Sequence, residues 1–251
     1  MLNQYLAQTQ QLLQNPGATN ALYPTSNLTD WINTARGQVA AEAQCIRATG
    51  GMVTVSGTNS YPFDLVFATT ATGVSYPLNI WGAWIVKGSG KTWMWPRPWP
   101  WFSVYELNNA APKPGTPTTW SVFAQGSPGS SSFVGVTAGS FYVSPTPDNA
   151  YTLVLDCSWI PIALVDDTTV EAIPYIWTDA VPYFAAYLAL LSSQTSARAA
   201  EADKMFQRYK MFVERARAAS NPDILKPIYQ GAVNQTRQNQ LAVGGGAGGG
   251  G

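Results

Sequence analysis

Few residues in this chain have the types and spacing that chemistry needs. The segment Gly88-Ser89-Gly90-Lys91-Thr92 contains the closing Gly-Lys-Thr of a phosphate-binding loop. Such a loop also needs a glycine five residues before the last one and a helix to follow, so that backbone N–H groups can cradle phosphate. Ile85 stands at that position, and the flanking residues read as strands, so the segment is expected to be a hairpin turn. Asp166 and Asp167 are neighbouring carboxylates. Acid–base chemistry needs two carboxylates facing each other across a substrate, whereas adjacent acids ahead of a helix suit its positive end. Asp148, in Pro145-Thr146-Pro147-Asp148, is most simply a turn residue. Cys45 and Cys157 are far apart, neither in a CxxC pair, and two buried reduced thiols are expected. The chain has no histidine. That removes Ser-His-Asp and Cys-His catalysis and imidazole metal ligands. No catalytic, metal or cofactor-binding residues are therefore expected, and the chain does not read as an enzyme.

The most unusual stretch is Trp93-Met94-Trp95-Pro96-Arg97-Pro98-Trp99-Pro100-Trp101-Phe102. Its prolines argue against a central strand through 96–100 and predict a stiff, extended loop. Trp95, Arg97, Trp99 and Trp101 are of the types that anchor protein interfaces. The plainer reading is that these rings cover one end of a β core. A carbohydrate-binding or depolymerising module that stacks sugars on the rings is a third reading, but no convergent polar set accompanies them.

Composition supports contact with neighbours. Charged residues make up 11% of the 251 positions, against about 25% in an ordinary soluble domain. There are 10 Trp and 12 Tyr. Aromatic enrichment with charge depletion marks interface cores. The formal net charge of zero gives no sign of a nucleic-acid binder. No signal peptide is legible, and the best apolar run, 173–191, carries Asp179 and two prolines, so no membrane span is expected.

Apolar spacing predicts four helices. Leu2–Leu13 is amphipathic, ended by Asn15-Pro16-Gly17. Leu28–Ala48, capped by Asn27 and closed by Gly50-Gly51, buries Leu28, Trp31, Ile32, Ala35, Val39, Ala43 and Ile46. Val170–Ser193 is apolar almost all round and should be buried, with Pro174 in its first turn and a kink at Pro182. Ser196–Ala219, capped by Ser196, carries Met205, Tyr209, Phe212 and Ala216 on one stripe, widened by Phe206 and Val213. Between the second and third helices, β-rich runs predict strands at 52–55, 63–69, 78–86, 92–95, 102–107, 119–124, 133–136, 140–144 and 151–159. The fold class is α+β: a bundle of about four helices (1–50 and 166–221) with an inserted antiparallel β sandwich or barrel (51–165). Residues 222–251 hold scattered apolar anchors and end in a glycine-rich run. Such a tail cannot bury enough apolar surface to fold alone and should lie extended on a partner.

Several short segments resemble the head-to-tail adaptor (connector) proteins of short-tailed bacteriophages. The opening helices of that family are similar to Tyr5-Leu6-Ala7-Gln8-Thr9-Gln10, Leu22-Tyr23 and 28–36. The strand-to-helix return is similar to 141–148 leading into Tyr151-Thr152-Leu153, then Trp159-Ile160-Pro161 and the apolar residues from Ile173. The resemblance implies a structural protein of the virion neck, made in the host cytoplasm. It implies a ring, usually of twelve copies, seated under the portal protein and meeting tail or nozzle proteins. Genomic DNA would pass through the lumen without sequence-specific binding. The tail would then bind the portal through Ile224, Leu225, Ile228, Tyr229, Val233 and Leu241, and the tryptophan loop would meet tail proteins or neighbouring copies.

Overall fold

The computed structural model describes residues 1–14, 22–107, 113–123, 139–193 and 196–220. The chain is α+β, as expected. Helices α1 (Leu2–Leu12) and α2 (Thr25–Ala43) come first. Strands β1 (Arg47–Val53), β2 (Ser60–Pro62), β3 (Phe67–Ala68), β4 (Val74–Lys87) and β5 (Gly90–Pro96) follow. A short helix α3 (Trp99–Phe102) precedes β6 (Thr119–Phe123), β7 (Ser140–Ser144) and β8 (Thr152–Pro161). Helices α4 (Ala180–Ser192) and α5 (Ser196–Ser220) complete the described chain.

The strands form one curled eight-stranded sheet in the order β2-β7-β6-β5-β4-β8-β1-β3. Pairing is antiparallel except between β5 and β6, which run parallel. The expectation of a wholly antiparallel sandwich or barrel is thus replaced by an open mixed sheet with β2 and β3 at its edges. The expected strand at 133–136 lies outside the described residues. Residues 102–107 are helical, not extended: Phe102 closes α3, and Ser103–Leu107 form a π turn.

Strand β8 sits between β4 and β1. Its Leu153, Leu155, Cys157 and Trp159 are completely buried, while Val154 and Asp156 on the other face are half-buried. Trp159 donates its indole N–H to the Ala48 carbonyl at 3.0 Å. Gly50 and Gly51 do not close a helix but lie within β1, opposite Leu155 and Val154. The second helix ends earlier, at Ala43, because Gln44 takes the left-handed conformation that stops a helix. It also begins earlier than Asn27, with Pro24 as its N-cap.

Buried side chains of the helices and the inner sheet face form one continuous core. Leu28, Ile32, Ala35, Val39 and Ala43 of α2 lie in it as the spacing predicts. Trp31 is only half-buried and packs edge-on against Tyr23. On α5, Tyr209, Val213 and Ala216 are buried, flanked by Met205, Phe206 and Phe212. Helix α4 packs against α1, α2 and α5, which explains its nearly all-apolar surface.

The long third helix is shorter than expected. Residues 162–179 return from the sheet without an α-helix, apart from a 3-10 turn at Tyr175–Trp177. The residue before a proline disfavours the helical region, so Pro174 marks the end of an extended approach. Pro182 lies in the first turn of α4, where its missing N–H costs nothing, and no kink is needed. Tyr175 and Ile176, expected in a buried helix, are 77% and 67% exposed.

Side chains from α1 and α2 hold this return segment. Arg36 is 1% exposed and pairs with Glu171 through two bonds of 2.9 Å. Its remaining nitrogen donates to the Ile162 carbonyl at 2.7 Å. Asn33 accepts from the Leu164 N–H at 2.7 Å and donates to the Leu164 carbonyl at 3.0 Å. Burial, and next the Glu171 charge, push the Tyr5 phenol well above its ordinary range. Its hydroxyl faces that carboxylate without hydrogen-bond geometry. Asp166 accepts from the Thr168 and Thr169 hydroxyls and N–H groups, and Asp167 accepts from the Met1 amine and the Asn3 N–H. These bonds hold both carboxyls below the usual carboxylate range. Asp166 therefore fixes a turn of the return segment, and Asp167 caps the first turn of α1 rather than the helix that follows it in sequence.

Candidate interaction surfaces

The tryptophan segment is built by β5, α3 and the π turn. Pro96 is tolerated as the last residue of β5 for a local reason. The N–H groups of Trp95 and Arg97 donate to the Thr118 and Trp120 carbonyls on the β6 side, at 2.8 Å each. A donor at position 96 would point to the β4 side, beyond the paired residues of β4 and β5. Pro98 is the N-cap of α3, and Pro100 lies in its first turn. The prolines thus prepare a helical turn where an extended loop was expected.

This turn divides the four candidate residues. Trp99 is half-buried and packs on Phe123 and Tyr142, with ring centroids 4.8 and 4.6 Å away. It covers the end of the sheet, which was the plainer reading. Trp95 is 64% exposed, and Arg97 and Trp101 are exposed as well. The Arg97 guanidinium lies 4.9 Å from the centre of the Trp101 ring, and Tyr105 packs on that ring at 5.3 Å. Arg97 also anchors to the sheet, its carbonyl accepting from the Ser121 hydroxyl at 2.9 Å. Trp93, at the start of the tryptophan stretch, and Tyr105, which lies beyond it and was not singled out from the sequence, are exposed as well. The four-residue step from Trp101 to Tyr105 is a helical signal, obscured by the strand preference of the aromatics between them.

Across the outer sheet face, Trp93 lies opposite Trp84 on β4, and Trp84 opposite Val154 on β8. Gly82 leaves room for Trp93: a Cβ there would stand 2.8 Å from its ring. Within the segment 88–92, Gly88 and Ser89 form the β4–β5 hairpin turn, as expected, with Lys87 opposite Gly90 and Gly88 at φ +56°. Lys87 and Lys91 flank it, exposed and in no ion pair among the described residues.

A second exposed apolar surface lies on the return segment: Val165, Val170, Tyr175 and Ile176. The acids beside it are Asp166, Asp167 and Asp179, all exposed. Elsewhere, a groove of about 400 Å³ between α1, α4 and α5 is lined by Gln8, Gln11, Leu12, Asp179, Pro182, Tyr183 and Phe212. It gathers neither a nucleophile–base pair nor a set of metal ligands. Asp148 is in a bend and accepts from the Tyr151 hydroxyl at 2.6 Å. Cys45 and Cys157 are both free and buried, and burial raises both thiols, Cys45 to about 11. No helix among the described residues is long and apolar enough to cross a membrane. The tail anchors Ile224, Leu225, Ile228, Tyr229, Val233 and Leu241 lie outside the described residues.

The family model described as SU10 adaptor protein matches residues 3–226, and the chain belongs to that family. The match runs through the helices and the whole of the sheet. It bears out the resemblance to phage adaptors drawn from the short segments, and an adaptor is a structural component of the virion, not normally an enzyme. No curated protein matches the chain.

Proposed function

We propose that this member of the SU10 adaptor family docks under the portal ring of a short-tailed phage and connects the capsid to the tail. The observation that carries the reading is the family match over residues 3–226. In this reading residues 1–50 and 166–221 form the body of a ring, of twelve copies as is usual in the adaptors the chain resembles. Residues 51–165 face neighbouring copies or tail and nozzle proteins, and 222–251 reach the portal. The exposed ridge of Trp93, Trp95, Trp101 and Tyr105 supports a role in contact, since rings of this size rarely stand in water without a partner. Genomic DNA would pass through the lumen, held by no sequence-specific contact. Native mass spectrometry of necks isolated from particles tests the reading. Many copies of the chain bound with portal are expected. One or two copies per neck would defeat it, and binding on a glycan array would favour the carbohydrate module instead.

A further inference from the structure

Two exposed apolar surfaces of opposite charge lie apart on the molecule, one along β5 and α3 and one beyond the Val74 end of β4. On the outer face of β5 and in the turn that follows it lie Trp93, Trp95, Trp101 and Tyr105, with Lys91 on the same face of the strand and Arg97 just past its end. The nearby acid Glu106 is turned inward to the Ser144 hydroxyl. At the start of β4, Val74 pairs with Pro161, and the Gly73 carbonyl accepts from the Ile162 N–H at 3.0 Å. Gly73 also packs directly on Val170, whose carbonyl would lie 2.6 Å from a Cβ there. This end therefore holds the return segment, with Val165, Val170, Tyr175 and Ile176 exposed beside Asp166 and Asp179. The hydrogen bonds that hold the Asp166 carboxyl below its usual range keep it charged, and among the described residues no cation pairs with Asp166 or Asp179.

Trp84, opposite Trp93, and Val74, opposite Pro161, bound about 30 Å of extended chain on β4, which sets Trp93 apart from the return segment within one copy. We infer that the basic aromatic ridge of one copy seats on the acidic apolar return segment of the next. The inference rests on the ring reading above and names its contact. Such a contact joins different patches on the two copies, so it propagates head to tail and closes into a ring when the rotation allows. Opposite charges select the partner surface and its orientation. The exposed parts of the four rings amount to about 400 Å², roughly half of what a standard interface takes from each partner. A single contact is accordingly weak, and a closed ring gains from repeating it.

The test uses the full chain with Trp95→Cys or Ile176→Cys and a short bis-maleimide. Both native cysteines are buried and stay silent. It is run on purified protein at high micromolar concentration and on necks from particles carrying the variants. Neither variant alone should cross-link, an equimolar mixture should give dimers only, and the double variant should give a ladder. If Trp95→Cys lowers the melting temperature, Tyr105→Cys replaces it. Cross-linking by either variant alone would overturn the inference, because the contact would join like to like. Multicopy necks without the mixed cross-link would also overturn it while leaving the ring reading intact. Absence of any multicopy species would remove both.

Discussion

The residue that departs most from expectation is Arg36. It falls inside the apolar stripe of α2, between Ala35 and Val39, where a charge is out of place by pattern alone. Its partner Glu171 is 135 positions away, so nothing local announces the pair. A buried ion pair contributes little relative to well-packed apolar replacements, but removing one member leaves an uncompensated buried charge. Arg36→Met should therefore cost about 3–5 kcal/mol in chemical denaturation, and Arg36→Met with Glu171→Leu should recover most of it. A double variant as unstable as the single one would place the cost elsewhere, in the bonds to Ile162 and Asn33. Trp31 errs in the opposite direction. It fits the stripe yet is half-buried, because its ring turns to Tyr23 at the edge of the core.

At the scale of elements, the glycine pair of β1 shows how facing decides tolerance. A Cβ on Gly50 would stand 3.0 Å from both the Trp159 ring and a Val66 methyl, inside the core. One on Gly51 would meet the Phe67 ring at 3.1 Å, but Phe67 is 57% exposed and can swing away. Gly50→Val should therefore lower stability by about 1–3 kcal/mol through overpacking, and Gly51→Val by clearly less. Equal losses in thermal melts would mean that the facing of β1 is misassigned. The helices were legible because a 3.6-residue period survives in one stretch of sequence. Strands β7 and β8 were legible by alternation. The start of α4 was not, because proline fits a first helical turn as readily as it breaks a helix, and 170–179 contains apolar residues that stay exposed. Helix α3 was hidden by aromatic residues that favour strands. The β5–β6 parallel pairing depends on contacts remote in sequence, which no local pattern encodes. Of the interaction surfaces, the tryptophans were legible by type. Tyr175 and Ile176 were not, since an apolar residue looks the same in sequence whether a neighbouring element or another molecule covers it.

At the scale of the whole molecule, the described chain closes at Ser220, in a shallow recess with Ala43, Gln44, Trp81 and Arg217. The proposed portal-binding tail departs from there. Deleting 222–251 should leave the melting temperature nearly unchanged and abolish attachment to portal, measured by co-sedimentation with portal rings. Full-affinity binding by the truncated chain, or its failure to fold, would remove the tail from that role. The return segment has a mechanical consequence. Arg36 and Asn33 hold residues 162–171 through several bonds at once, between the end of β8 and the start of α4. A pull on the sheet relative to α2 therefore loads these bonds together, as a joint in shear, instead of opening them in succession. A stretch with little regular structure is thus a stiff coupling between α2 and the sheet, and force applied at the sheet reaches the helices with little slack.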